Sequence, residues 1–228
     1  MRKLYLVPII HMSADMGSVA TALAEGASSH LGEEFWQKHK EVVSKFWDSI
    51  AHFFDSLEVS GFKVYQDGMV AEGPAALKII KAGTRQRSKN YEIVGRLLKR
   101  GAILIKTEDL ALVKREHAYI IKMTGSRSRK EKEVTALRYK LAQNALLRQR
   151  DSFIAARINK TLGKQETGIL FIGAYHGVFS KLSADIEVIQ VKDIARIKAY
   201  QQAITNWSKD DQRIQQLAEY LVTPVSVS

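Results

Sequence analysis

The chain contains no cysteine. Disulfide frameworks, thiolate metal sites and cysteine nucleophiles are therefore excluded. Proline is scarce, with three residues in 228, and glycine is modest at fourteen, so little of the chain reads as linker or disorder. Long apolar runs are also missing. No segment approaches the ~20 apolar residues needed to span a bilayer. The start, Met1-Arg2-Lys3 followed by LYLVPII, is broken by His11 and Asp15 without a small-residue cleavage site, so it reads as a buried first strand rather than a signal peptide. The expectation is a cytosolic protein without a membrane segment, with residues 1–222 as one domain and 223–228 as a tail.

What the chain does have is positive charge, 35 Lys and Arg against 24 Asp and Glu, for a net of +11. The excess is local. Between Lys114 and Arg150 eleven basic residues stand against Glu116, Glu131 and Glu133, a net of +8. Such a segment attracts nucleic acid or an acidic partner, although a solvated helix face gives the same count without interleaved aromatics.

Periodicity divides the chain into alternating strands and helices. Residues 3–10 form a continuous apolar run that ends at His11, as in a strand covered on both faces. Ser13 or Asp15 then caps a short helix over 15–25. Phe35/Trp36, Val42/Val43, Phe46/Trp47, Ile50, Phe53/Phe54 and Leu57 recur at helical spacing across 33–58, a long amphipathic helix that must cover a sheet or a second protomer. That face leaves a homo-oligomer open. Within it, His39 and His52 read as ordinary helix-surface or core-edge histidines.

Strands follow at 62–66, 102–106, 168–173 and 186–191, with helices over 74–82, 88–100, 108–117, about 128–162, 193–206 and 208–222. Residues 118–123 fit either a strand or the end of a helix. The alternation implies an α/β fold with an open, mostly parallel sheet flanked by helices on both faces. In such sheets ligands gather at the carboxyl ends of the strands.

That rule gives weight to two histidines. His11 follows LYLVPII, and His176 follows ILFIGAY. If the strands are neighbours, a spacing of about 4.8 Å brings both imidazoles to one bound ion or substrate, and histidine both ligates metals and moves protons near neutral pH. Strand-end histidines also simply cap loops. Asp67, Glu72, Glu108 and Asp109 lie at the same expected edge, where two histidines and one or two carboxylates would make a shell for a divalent metal with an open water position. Helix capping, or a turn at Asp67-Gly68, is the competing reading for each carboxylate. Tyr175 reads as a proton donor, a stacking wall or buried filler. Phosphate-loop, dinucleotide, zincin and serine-hydrolase motifs do not occur.

The stretch RDSFIAARI (150–158) followed by GILFIGAYHGV (168–178) resembles the C-terminal signature of the TraB/PrgY and Tiki superfamily, which includes GumN, ChaN and erythromycin esterase branches. In that superfamily an Arg-Asp helix precedes a strand ending in G-x-x-H, matched here by Gly173 to His176. An N-terminal strand also ends in G-x-x-H, and here Pro8 stands at the glycine position before His11. The resemblance implies an α/β hydrolase, with metal-dependent peptidases, a lactone esterase and haem binders among its branches. It places His11 and His176 at a metal or acid–base site and Arg150 on a substrate carboxylate or an acidic site residue. The family's acidic residue after its second strand has Asp67 as its nearest counterpart, with Glu72 behind it. The two function readings are thus a hydrolase acting on a small molecule or peptide, with a divalent metal ion as the implied cofactor, and a non-enzymatic binding protein that uses the basic 114–150 segment.

Overall fold

A computed structural model describes residues 1–10, 32–125, 128–205 and 211–226. The sheet has five parallel strands: β1 (Arg2–Ile9), β2 (Lys63–Gln66), β3 (Ile103–Ile105), β4 (Thr167–Gly173) and β5 (Ile186–Gln190). Their order across the sheet is β3-β2-β4-β1-β5. The described helices are α1 (Glu33–Asp55), α2 (Gly73–Arg85), α3 (Lys89–Lys99), α4 (Leu110–Gly125), α5 (Arg129–Thr161), α6 (Ile194–Thr205) and α7 (Asp211–Val222). A short 3-10 helix spans Val178–Lys181. The α/β architecture read from the periodicity is therefore the observed one.

Strand alternation sends successive side chains to opposite faces, and both faces are covered. Val7 and Ile9 of β1, Val64 of β2 and Ile169 and Phe171 of β4 join one core with α1, α2, α3, α6 and α7. Leu4 and Leu6, Tyr65, and Leu170 and Ile172 join the other, with Ile154, Ala155 and Ile158 of α5. This two-sided burial is why β1 and β4 are apolar throughout.

The aromatic face of α1 packs on the sheet. Phe46, Trp47, Ile50 and Phe54 are buried, Phe54 meets Phe171 at 6.1 Å between ring centroids, and the Trp47 indole N–H donates to the Ile10 carbonyl at 3.1 Å. No second protomer is needed to cover that face. Residues 118–123 belong to α4, which extends to Gly125; Asp109 caps its start by accepting from the amides of Ala111 and Leu112. His39 accepts or donates a hydrogen bond at 2.9 Å with Tyr200, and burial lowers its pKa to about 4. At the C-terminal end, Thr223 and Val225 touch the body: the carbonyl of Thr223 accepts from Lys192, and Val225 packs on the core. The helix expected over 15–25 lies outside the described residues. No described helix is long and apolar enough to cross a membrane.

Candidate functional site

Because all five strands are parallel, their carboxyl ends share one edge. β1 and β4 are hydrogen-bonded neighbours, with Ile9 level with Gly173, so the strands that lead to the two histidines are adjacent. His11 itself lies outside the described residues.

Around the ends of β2, β3 and β4 the structure brings together Asp67, Glu108, Arg150, Asp151 and His176. Asp67 leaves β2 in a tight turn closed by the Met69 amide on the Gln66 carbonyl at 3.0 Å, with Gly68 at φ 77°, the left-handed position that a type II turn requires. The turn lets its Oδ2 accept from the Gly173 amide at 3.3 Å. Glu108 follows β3, where its amide and that of Thr107 both donate to the Met69 carbonyl. It is fully buried. Arg150 and Asp151 come from α5, which crosses the same edge.

Arg150 binds three carboxylates. Its Nη2 stands 2.5 Å from Asp67 Oδ1 and 2.5 Å from Glu108 Oε1, and its Nη1 stands 2.5 Å from Glu116 Oε2. Tyr139 on α5 donates its hydroxyl to the other oxygen of Glu116 at 3.3 Å. The guanidinium is thus taken up by protein carboxylates and lies buried. Of the two roles expected of it, orienting acidic residues is the one its contacts serve, since four of its five N–H groups point at protein carboxylates. Burial works against its charge, but the surrounding carboxylates raise its pKa, so it is a fixed cation.

His176 is held at both nitrogens. Nδ1 lies 2.6 Å from Asp151 Oδ1, while Asp151 Oδ2 accepts from the Gly177 amide at 2.9 Å. Nε2 faces Asp67 Oδ2 at 3.5 Å, longer than an ordinary N–H···O bond. Burial lowers the imidazole pKa, but the bond to Asp151 and the nearby Asp67 carboxylate outweigh it and raise the value to about 9. The ring is an imidazolium at neutral pH. Glu108 moves the opposite way from an ordinary ion-paired carboxylate: burial, reinforced by the neighbouring Asp67 charge and opposed by Arg150, raises it to about 7. Its Oε2 is buried without a hydrogen-bond partner. Glu108 and Asp67 thus share the Arg150 guanidinium, and the charge of Asp67 is one of the causes that raise Glu108.

No family model, curated protein or solved structure matches this chain. The functional reading accordingly stands on the geometry.

The remaining sequence candidates fall elsewhere. Glu72 pairs with Arg157 at 2.6 Å, away from the cluster, because α2 begins at Gly73 and turns that carboxylate toward the carboxyl end of α5. Asp109 is a helix cap. Tyr175 is not filler: it is 48% exposed, and Lys198 Nζ lies 4.9 Å over its ring. Among the described residues no group of three His, Asp or Glu side chains is placed to hold a metal ion. The donors present fit what they already bind: a guanidinium faces Asp67 and Glu108, and the imidazole carries its own proton. Of the basic segment, Arg150 turns inward while Lys114, Arg115, Arg138, Lys140 and Arg148 remain exposed.

Sequence reasoning missed Glu116, which it counted only in the charge balance of 114–150, and Tyr139, which it did not single out. It met Asp151 only as part of the Arg-Asp helix, without naming His176 as what that carboxylate orients. A helical offset would have exposed part of this, since Glu116 lies two turns along α4 from the Glu108 end.

Proposed function

We propose that this protein is a hydrolase of acyl bonds, ester or amide, working by general acid–base chemistry at the carboxyl edge of its sheet. The observation that carries the reading is the convergence there of two carboxylates on one guanidinium, Asp67 and Glu108, with His176, which Asp151 orients and Asp67 faces. Two groups whose environments push their proton affinities in useful directions are the signature of acid–base assignments.

In this reading the substrate carbonyl lies beside Asp67 and His176, which face each other at 3.5 Å. The Asp67–Glu108 pair, in its deprotonated form, takes a proton from a water molecule as its oxygen attacks the carbonyl carbon. The resulting tetrahedral intermediate collapses with cleavage of the bond to the leaving group, and Nε2–H of His176 protonates that group as it departs. The proton gained by the carboxyl pair then returns to His176. Asp67, partly exposed, faces the substrate, and the buried Glu108 sets the proton affinity of the pair. Arg150 is a positioning residue that keeps three carboxylates packed. Tyr175, with Lys198 beside it, forms the rim on which a substrate rests. The resemblance to the TraB/Tiki superfamily, whose branches include hydrolases, supports the same class.

The test is hydrolysis of a panel of acyl esters, lactones and short peptides by the wild type, His176→Ala and Asp67→Asn, with circular dichroism as the folding control. The expected result is turnover of at least one substrate class, reduced 10²–10⁴-fold, the usual range for general acid–base groups, in each variant. Equal rates in the wild type and both folded variants would remove the proposal. Metal content after native purification, compared between the wild type, His11→Ala and His176→Ala, separately tests whether His11 completes a metal site.

A further inference from the structure

The outward side of α5 carries an apolar stripe that the described residues leave bare. Val134, Leu137 and Leu141 are 49%, 59% and 75% exposed. Their spacing of three and then four residues is that of a coiled-coil seam. The opposite side of the helix is occupied by α4, where the rings of Tyr119 and Tyr139 meet at 5.7 Å and Leu146 is buried. A row of aliphatic side chains this exposed, within an otherwise strongly charged helix, marks an interaction surface.

The charges beside the stripe identify the occupant. In heptad terms Val134 and Leu141 take one seam position and Leu137 the other. Glu131 and Arg138 then flank the seam on one side, and Glu133 and Lys140 flank it on the other. In an antiparallel helix pair, flanking residues on a given side meet the same side of the partner. When Val134 is set opposite Leu137 of the partner subunit, Glu131 meets Arg138 of the partner subunit and Glu133 meets Lys140 of the partner subunit. Two-fold symmetry repeats each pair, which makes four complementary pairs. A parallel pair satisfies only two, Glu133 with Arg138 of the partner subunit and its symmetry mate, and it stacks Lys130 on Lys130 and Arg148 on Arg148 of the partner subunit within the seam. A nucleic acid has no use for three exposed aliphatic side chains, and it is repelled by the two acidic ones.

We infer that two copies of this chain associate through α5, antiparallel, about a two-fold axis passing between residues 135 and 136. The interface is isologous and closed. It lies on the same helix that carries Arg150 and Asp151, but on a different face, so it is independent of the proposed chemistry.

Sedimentation of the full-length wild type over a wide concentration range is expected to show a monomer–dimer equilibrium. Leu137→Asp/Leu141→Asp is expected to be monomeric with an unchanged circular dichroism spectrum. Arg138→Glu/Lys140→Glu and Glu131→Lys/Glu133→Lys each turn four attractive pairs repulsive and should each weaken self-association roughly a hundredfold. Mixed together, they should form a heterodimer at least as tight as the wild-type dimer. Since the chain has no cysteine, Val134→Cys and Leu137→Cys proteins should cross-link efficiently when mixed and poorly when alone. A wild type that stays monomeric, charge variants that fail to pair when mixed, or efficient cross-linking of either cysteine variant with itself would overturn the inference. So would a stripe whose substitution abolishes binding to anionic vesicles or nucleic acid and leaves the sedimentation unchanged.

Discussion

Replacing Glu108 by Gln should stabilise the protein at pH 8 and leave it nearly unchanged at pH 4. A buried carboxyl held at about 7, against its ordinary 4.5, binds a proton in the folded state that the unfolded state has already released. Stability therefore falls as pH rises from 4.5 to 7, because over that window the folded chain binds more protons than the unfolded one. The accumulated cost is about 3 kcal/mol above pH 7. A glutamine imitates the protonated acid: it keeps an acceptor for Arg150 and places an amide N–H₂ where Oε2 is without a partner. Arg150 retains Asp67 and Glu116, so no buried cation is orphaned. Denaturant melts of both proteins at intervals between pH 4 and pH 8 give the comparison. The difference should open from near zero to about 3 kcal/mol in favour of Glu108→Gln, or ~6–12 °C in melting temperature for a chain of this size. A difference independent of pH, or a variant less stable than the wild type at pH 8, would refute the reasoning.

Other expectations follow from the same contacts. Asp151→Asn should let the His176 pKa fall from about 9 toward or below 6.5, seen in an NMR titration of the imidazole protons; an unmoved titration would show that Asp67 alone holds the charge. In the wild type, the stability contributed by His176 is fully present below pH 6.5 and is lost as pH rises through 9, and this variant should flatten that slope. Arg150→Met should cost about 3–5 kcal/mol at pH 7, because it leaves Asp67, Glu108 and Glu116 as buried or half-buried carboxylates without their counterion. The loss should shrink at pH 4, and equal losses at both pH values would argue that packing rather than charge is what Arg150 supplies. Gly83→Ala should destabilise by about 1–3 kcal/mol despite the better helix former, since its Cβ would stand 2.4 Å from Cδ2 and 2.5 Å from Cγ of Tyr91; an unchanged melting temperature would show that the ring moves freely.

The fold was legible because its signals are local. β1 and β4 are apolar runs, the other strands are short and rich in β-branched or aromatic residues, and α1 repeats its aromatics at helical spacing, so the α/β alternation could be read without knowing which strands touch. The edge was legible too, since the rule for parallel sheets places Asp67, Glu108 and His176 together once they are seen to follow strands. What joins them was not. The bond between Asp151 and His176 depends on where a helix of 33 residues crosses the sheet, a tertiary fact with no sequence period. Arg150 was read both ways: composition counted it into a basic surface, while the family resemblance set it on a substrate carboxylate or an acidic site residue, and it is buried among three carboxylates. Glu116 was hidden as one acid among many bases. Glu72 failed in the other direction, because proximity in the chain to Asp67 did not survive the start of α2.

The acid–base claim is met most directly by the pH dependence of kcat/KM on whichever acyl substrate the panel identifies. Catalysis requires the Asp67–Glu108 pair to have released its proton and His176 to have kept its own. The expected curve is bell-shaped, with limbs near pH 7 and pH 9 set by the free protein; Asp151→Asn should draw the basic limb downward and Glu108→Gln should abolish or displace the acidic one. A flat profile, or limbs that stay in place in both variants, would contradict the assignment of these groups to the chemistry.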